Sequence, residues 1–502
     1  MSFLTPRNCT WFQSLILVVA PIASLASFAT SFGGDWAMRG RDHSRNAVSL
    51  EHNAPVDWKL VGDHRNSTKM RRNVRWSARL GAQSRGDPVI AGGLIWVGTD
   101  NSRPRNKAES ADASVLMCFN EQDGAFLYQY LSPRLELQRD WPYTGLASSP
   151  LVEGDRLWFC NNRCQVICLD IAALQSRTGQ PRVVWIVDMP SQMGVVPRGV
   201  MLGSSASHCS IASYKDLIYV NTTNAAGNKG VPAPDAPSLI CLEKQTGLVR
   251  WKDNSPGKNI LDVQHGSPLV IERKGGGQVI MGQGDGWVRA FDAETGEMLW
   301  KFDINLKSAE PLFTANGKRS DLVAMPVVYE GRVYFGVGRQ LEMCVGLGRL
   351  CCLDTSKRGD ISAELDDSAG RGRRNPNSGL IWEYLGHGDE GKNPMHRTLS
   401  SVVVHDGIVI APDFSGLVHC LDARTGERFW IHDTKSQIAT SPLIVGDKVF
   451  VANEIAVFIF ELSKEKNLIG MREASSLIEA SPVYANGVLY VTTRDELFAI
   501  GE

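Results

Sequence analysis

AFDAETGEMLW, residues 290–300, returns as CLDARTGERFW at 420–430 and as CLEKQTGLVRW at 241–251. One structural unit has been copied along the chain, and copies of this kind stack into a closed β-propeller. Weaker copies fill the gaps: CFNEQDGAFLY from Cys118, CLDIAALQSRTGQPRVVW from Cys168, CLDTSKRGD with a delayed SGLIW from Cys352, and FIFELSKEKNLIG from Phe458. Within a copy, Val288 and Ala290, or Val418 and Cys420, alternate as a strand does. The Asp-x-x-Thr-Gly that follows supplies a side-chain cap and a residue free to take positive φ, which makes a hairpin turn. A short strand then ends in Trp185, Trp251, Trp300, Trp382 or Trp430, and a large indole at a fixed offset suits the interface between neighbouring sheets.

Upstream of each copy lies a pair of strands, as in SPLIVGDKVFVAN at 441–453, so one unit holds four strands, A to D. The third strands are marked by Cys118, Cys168, Cys241, Phe291, Cys352, Cys420, Phe460 and Phe498, which predicts eight blades. Seven is the alternative if one weak copy is a loop. The last unit ends at Gly501 and Glu502 without its tryptophan, whereas NVRWSARLG at 73–81 reads like LVRWKDNSPG at 249–257 but has no first three strands before it. The spacing predicts that Trp76 completes the last blade, which leaves no open sheet edge in the ring. The expectation is therefore an all-β chain with one propeller domain over residues 73–502.

The chain has 502 residues and a formal net charge of -1, so nothing global favours nucleic acid or an anionic membrane surface. Arg7, the apolar stretch SLILVVAPIASLA at 14–26 and Ser27-Phe28-Ala29 predict a cleaved signal peptide over residues 1–29 and a periplasmic or secreted protein, with no integral membrane domain. Residues 30–72 read as a polar lead-in. Of the 11 cysteines, Cys118, Cys168, Cys241, Cys352 and Cys420 share one strand position and read as core. Cys160 and Cys164 flank Asn161-Asn162-Arg163 at a turn and are the disulfide candidates, subject to strand register. No Cys-x-x-Cys-His or paired Cys-x-x-Cys spacing marks a haem or zinc site, and no metal ligand set is assigned.

The Ala-x-Asp-Ala-x-Thr-Gly-x-x-x-Trp pattern resembles the repeat of pyrroloquinoline quinone (PQQ) dehydrogenases. It is also similar to that of the outer-membrane assembly propeller lipoprotein, which uses the repeat without the quinone. The opening DWAMRGRDHSRNAVS and the span from Asp35 to Gly501 look like the secreted PQQ-repeat proteins of planctomycete-type bacteria. The resemblance implies the fold and leaves two functions, because one repeat serves catalysts and scaffolds alike. PQQ would need a stacking aromatic, a basic residue, a Ca²⁺ held by oxygen ligands and an Asp as general base. No motif places that set, and the adjacent Cys351-Cys352 sits inside a third strand.

Loop expansions point to a working face. In an up-and-down blade the B-to-C and D-to-A connections share one rim, and residues 102–113, 222–238 and 338–349 are of the first kind while 132–146, 189–205 and 306–323 are of the second. The charged insert at 360–378 emerges opposite and reads as a solvated excursion. His208, His265 and His396, with Arg397, lie at or just before innermost strands, where single histidines bonded to loop backbone are expected more often than a metal site. Asp140, Trp141 and Tyr143 with Arg198 suit a polar aromatic ligand, unless the indole only pins its loop. Asp285 and Asp413 read as equivalent turn formers. The expected function is a monomeric exported scaffold binding a protein or glycan at the long-loop face. The alternative is a PQQ- and calcium-dependent dehydrogenase of small alcohols or sugars.

Overall fold

The structure, a computed structural model, describes residues 34–60, 71–134, 144–197, 208–227, 229–262, 264–305, 307, 319–338, 346–366, 372–386 and 394–501. Each copy of the repeat is an antiparallel four-stranded sheet, and there are eight. Blade 4 shows the plan, with A at Leu269–Arg273, B at Gly276–Gly282, C at Trp287–Asp292 and D at Met298–Asp303. The other A strands are Val89–Ala91, Leu151–Glu153, Ala212–Tyr214, Val327–Tyr329, Val403–His405, Leu443–Val445 and Val483–Ala485. The A strands of blades 1 and 2, 3 and 4, and 5 through 8 touch their neighbours, so the A strands line the axis. In the eighth blade the outer strand is Val74–Arg79, paired antiparallel with Glu496–Ile500, Trp76 opposite Ala499. The two distant segments close the ring as the repeat count requires.

The repeated residues now have physical roles. Asp292 Oδ1 accepts hydrogen bonds from the amides of Glu294 and Thr295, and Asp422 does the same for Arg424 and Thr425. Gly296 follows at φ +76, and a Cβ there would lie 2.6 Å from Trp251 of the preceding blade. That indole donates Nε1–H to Ala293 O at 3.0 Å. Trp382 lies equally close to Gly426 and bonds Ala423 O, while Trp76, Trp185 and Trp430 reach Glu121 O, Lys244 O and Ser463 O. These five tryptophans therefore lock into the turn of the next blade, and at Gly124, Gly247, Gly296 and Gly426 the glycine is required twice over, by backbone sign and by lack of space. The repeated cysteines pack against this lock: Cys168, Cys241, Cys352 and Cys420 stand opposite Trp185, Trp251, Trp382 and Trp430. Burial pushes their thiols up to about 12, as expected of inert core groups.

Trp300 departs from the pattern. The next turn is expanded, so its Nε1 faces Gln278 Oε1 of its own blade at 3.4 Å, and Gly359–Asp360 runs parallel beside Trp300 and Lys301 as a fifth strand. The insert at 360–378 is thus only partly the solvated excursion that its charge suggests. Ile361 and Ser362 are buried, and Ser362 Oγ accepts the Asp303 amide at 2.9 Å. Burying one isoleucine anchors a segment that is otherwise polar.

The lead-in does more than its polarity indicates. Gly34 and Asp35 bond the A-to-B turns of blades 8 and 1, and Ser49 bonds that of blade 7, so residues 34–49 enter and leave the axis at one rim. Between these ends the segment pairs with inner edges of A strands: Trp36 with Ile90, Ala37 O with the Val152 amide, Ser44 O with that of Val328, Asn46 with Val404, and Val48–Ser49 parallel to Ile444–Val445. Arg45, buried, donates to the carbonyls of Arg39, Ser210, Ile211 and Pro268. These contacts satisfy edge groups that eight converging strands would otherwise leave unpaired.

Candidate functional site

Just beyond the axial segment a belt of serines stitches the blades together. The amide at the start of one A strand donates to the hydroxyl at the same place in the next: Ser149 to Ser210 (3.1 Å), Ser210 to Ser267 (2.9 Å), Ser401 to Ser441 (3.1 Å) and Ser441 to Ser481 (3.0 Å). In blade 1 the position is Asp87, which takes the Ser481 amide and pairs with Arg39 at 3.1 Å. The cavity left between Arg45, Asp87, Met325, Ser401 and Ser481 measures about 10 Å³, room for one water. A tricyclic quinone needs a site of on the order of 300 Å³. The axis behind the belt therefore does not fit PQQ.

The belt gives way, toward the long-loop rim, to a polar network in blades 5 and 6. Asp413 follows strand B of blade 6 (Ile408–Pro412), and its Oδ1 accepts the amides of Ser415 and Leu417 and the Ser415 hydroxyl. Its Oδ2 takes the His396 amide at 3.0 Å, His396 Nδ1 at 3.2 Å and His419 Nε2 at 3.1 Å. His419 Nδ1 meets the Tyr384 hydroxyl at 3.1 Å. Asp413 and His419 are fully buried, whereas the His396 side chain is 30% exposed. Burial alone would raise the Asp413 carboxyl, but hydrogen bonds from His396 and His419 and the His419 charge hold it far below the usual range. The hydrogen bond to Asp413 raises His396 against the opposing effect of burial. The network fixes one imidazole ring, favours its cationic form and presents one edge of it near the mouth.

Backbone bonding corrects the reading of Asp285 and Asp413 as equivalent. The Asp413 amide bonds Leu417 O and the Gln283 amide bonds Trp287 O, so Asp413 matches Gln283. Asn453 and Asn161 close the turns of blades 7 and 2 in the same way. Asp413 is a carboxylate at a place where these blades carry neutral amides. Asp285 lies inside its turn and forms a buried, bidentate pair with Arg289 at 2.6 and 2.9 Å. The sequence signal that could have found this is His419, which aligns with Arg289 one residue before the core position.

The other sequence candidates separate. His208 and His265 stack with ring centroids 4.1 Å apart at 26° on blades 3 and 4, and rings so nearly parallel do not converge their nitrogens on one ion. His396 is held elsewhere by Asp413, so the three imidazoles do not meet. Among the described residues no group of three or more His, Cys, Asp or Glu is placed to hold a metal ion. Arg397 is buried, with its carbonyl on the Phe414 amide, rather than displayed on the rim. Asp140, Trp141, Tyr143 and Arg198 lie outside the described residues. The connection at 222–238 begins with buried Thr222, Thr223 and Asn224, whereas residues 105–110 are exposed.

The expected Cys160–Cys164 bridge is not formed. Strand register places Val166 opposite Cys160, and Cys164 occupies the turn at φ +53 with its Sγ 3.0 Å from Thr223 Oγ1. Cys351 and Cys352 are free core residues of one strand. Among the described residues no helix is long and apolar enough to cross a membrane.

The comparisons agree with this architecture. The BamB structure from Moraxella catarrhalis superposes over 85% of this chain and 98% of that one, with a TM-score of 0.56 at 15% identity, which is a likeness of fold. Quinoprotein ethanol dehydrogenase of Pseudomonas putida is 33% identical over 104 residues, 20% of this chain and 16% of that enzyme, so the match spans a small part of either. A family model described as outer membrane protein assembly factor BamB matches residues 170–360 and 275–501, more than half the chain. On its eight-bladed ring and these matches, the chain belongs to the BamB-like family of PQQ-repeat β-propellers.

Proposed function

We propose that this propeller is an exported, non-catalytic, monomeric scaffold that takes a protein or glycan partner on the face carrying the long B-to-C and D-to-A connections. The observation behind the reading is the filled axis: residues 34–49 occupy it from the other rim, and the serine belt ties successive A strands together around them with a cavity of only about 10 Å³. A partner then meets the loop face and not an axial chamber. Residues 105–110 on that face are exposed and carry both charges, in Lys107 and Glu109, while Arg105 is braced over Phe126 at 4.7 Å. The family description, an assembly factor, favours a protein over a glycan. The apolar stretch and small residues within 1–29 support export.

The reading is tested by a photo-crosslinking residue at Lys107, compared with one at Lys274, exposed in the A-to-B turn of blade 4 on the opposite rim, in cells whose envelope proteins are then resolved. A discrete adduct from Lys107 that is lost when residues 106–110 become Gly-Ser, with thermal stability unchanged, supports it. The same pattern of adducts from both positions overturns it. The local identity to a quinoprotein favours a second reading, a PQQ- and calcium-dependent dehydrogenase. Saturable PQQ absorbance changes that need Ca²⁺, together with alcohol-dependent dye reduction, would replace the scaffold reading with that one.

A further inference from the structure

Blades 2 and 3 meet at three cysteines that do not occupy the repeated core position. Cys160 ends strand B of blade 2 (Arg156–Cys160), Cys164 follows in its turn, and Cys209 precedes strand A of blade 3 (Ala212–Tyr214). All three are buried in one apolar cluster with Met38 of the axial segment. The two backbones are pinned on either side of the sulfurs: Ser148 Oγ donates to Cys160 O at 2.5 Å, and the Ser149 amide donates to Ser210 Oγ at 3.1 Å. Cys160 lies beside Cys209 in this cluster, and Cys209 Sγ accepts the Asn221 amide at 3.2 Å. Cys164 instead faces Thr223.

We propose that Cys160 and Cys209 are a disulfide site, a staple between blades 2 and 3 that forms when a disulfide-bearing oxidant is present. This inference does not depend on the partner-binding reading. The electrostatics favour Cys209 as the attacking sulfur. Burial pushes its thiol up, but the Cys160 side chain, the Asn221 amide and the Arg45 and Arg39 guanidiniums together hold it below the ordinary value. The Cys209 thiolate attacks one sulfur of the oxidant disulfide, forms a mixed disulfide and expels one thiolate. The Cys160 thiol gives its proton to that thiolate and displaces the second oxidant sulfur, so two protein thiols are oxidised and one disulfide is reduced to two thiols. Neither sulfur is exposed. The bond therefore forms as the two blades close, and afterwards the closed seam shields it from reductant.

The test uses the full chain, refolded from denaturant in oxidised and reduced glutathione, alkylated, digested and mapped by mass spectrometry. The expected product is a peptide linking Cys160 to Cys209, with a thermal midpoint about 4 °C above the fully reduced protein, as closure of a loop of about 50 residues implies. In the folded protein reductant should open it only slowly. Cys209→Ser and Cys160→Ser remove both the link and the increment, whereas Cys164→Ser keeps them. A Cys160–Cys164 or Cys164–Cys209 peptide, or complete alkylation of Cys160 and Cys209 after oxidative refolding to the native ring, overturns the proposal. If a serine variant does not fold, the wild-type peptide map decides by itself.

Discussion

Replacing Asp413 by Asn distinguishes a carboxylate that holds the channel mouth together from one that serves as a base. The substitution keeps the shape and the Oδ1 contacts to Ser415 and Leu417 but puts an amide NH2 where the His396 amide, His396 Nδ1 and His419 Nε2 converge. Three donors then lose one buried acceptor. Removing one partner of a buried, hydrogen-bonded charge pair costs about 3–5 kcal/mol. For a ring of this size, with an unfolding entropy of roughly 1 kcal/mol per kelvin, the thermal midpoint should fall by about 3–5 °C. The pH dependence carries a sign. Asp413 is depressed in the fold, so its contribution is present above the ordinary carboxylate pKa and disappears only as pH falls toward the depressed value. His396 is raised, so its share is complete below about pH 6.5 and fades as pH rises through the raised value. Circular-dichroism melts of both proteins at pH 5.5 and pH 8.5 should therefore show the larger gap at pH 5.5. A variant within 1 °C of the parent at pH 5.5, or a gap that widens with alkali, would refute the argument.

Other perturbations follow from the same contacts. Gly296→Ala places a Cβ 2.6 Å from the Trp251 ring at a left-handed backbone, and should cost about 2–3 kcal/mol, seen as a lower urea midpoint, while Gly93→Ala, with open space around it, costs about 1 kcal/mol from backbone strain alone. Arg45→Met leaves the buried carbonyls of Ser210, Ile211 and Pro268 without their donor, and should lower stability by about 3 kcal/mol and speed hydrogen exchange at the start of the Ala212–Tyr214 strand. Equal exchange in the two proteins would show that the axial segment does not brace the ring.

The blade plan was legible because each blade buries the same surface against its neighbour, which forces Asp, Gly and Trp to recur at fixed offsets. Closure by Trp76 could be read for the same reason, since an orphan fourth strand and a missing one must pair. The working residues were less legible. Recurrence of an Asp near the same turn makes Asp413 and Asp285 look equivalent, and backbone pairing shows that Asp413 instead matches Gln283, as the alignment of His419 with Arg289 also implies. Cys160 and Cys164 looked paired through proximity in sequence, but register turned one toward Thr223 and the other toward Cys209, which is distant in the chain.

The sequence by itself determined the repeat, the ring and the face that carries the long connections, because these depend on local turn chemistry and on a packing interface copied from blade to blade. Only the tertiary structure decided what lies on the axis and which polar side chains meet there. Residues 34–49 have no repeat partner, and their polar composition conceals that their backbone answers the unpaired inner edges of the A strands. Such contacts join positions hundreds of residues apart, so no local pattern records them.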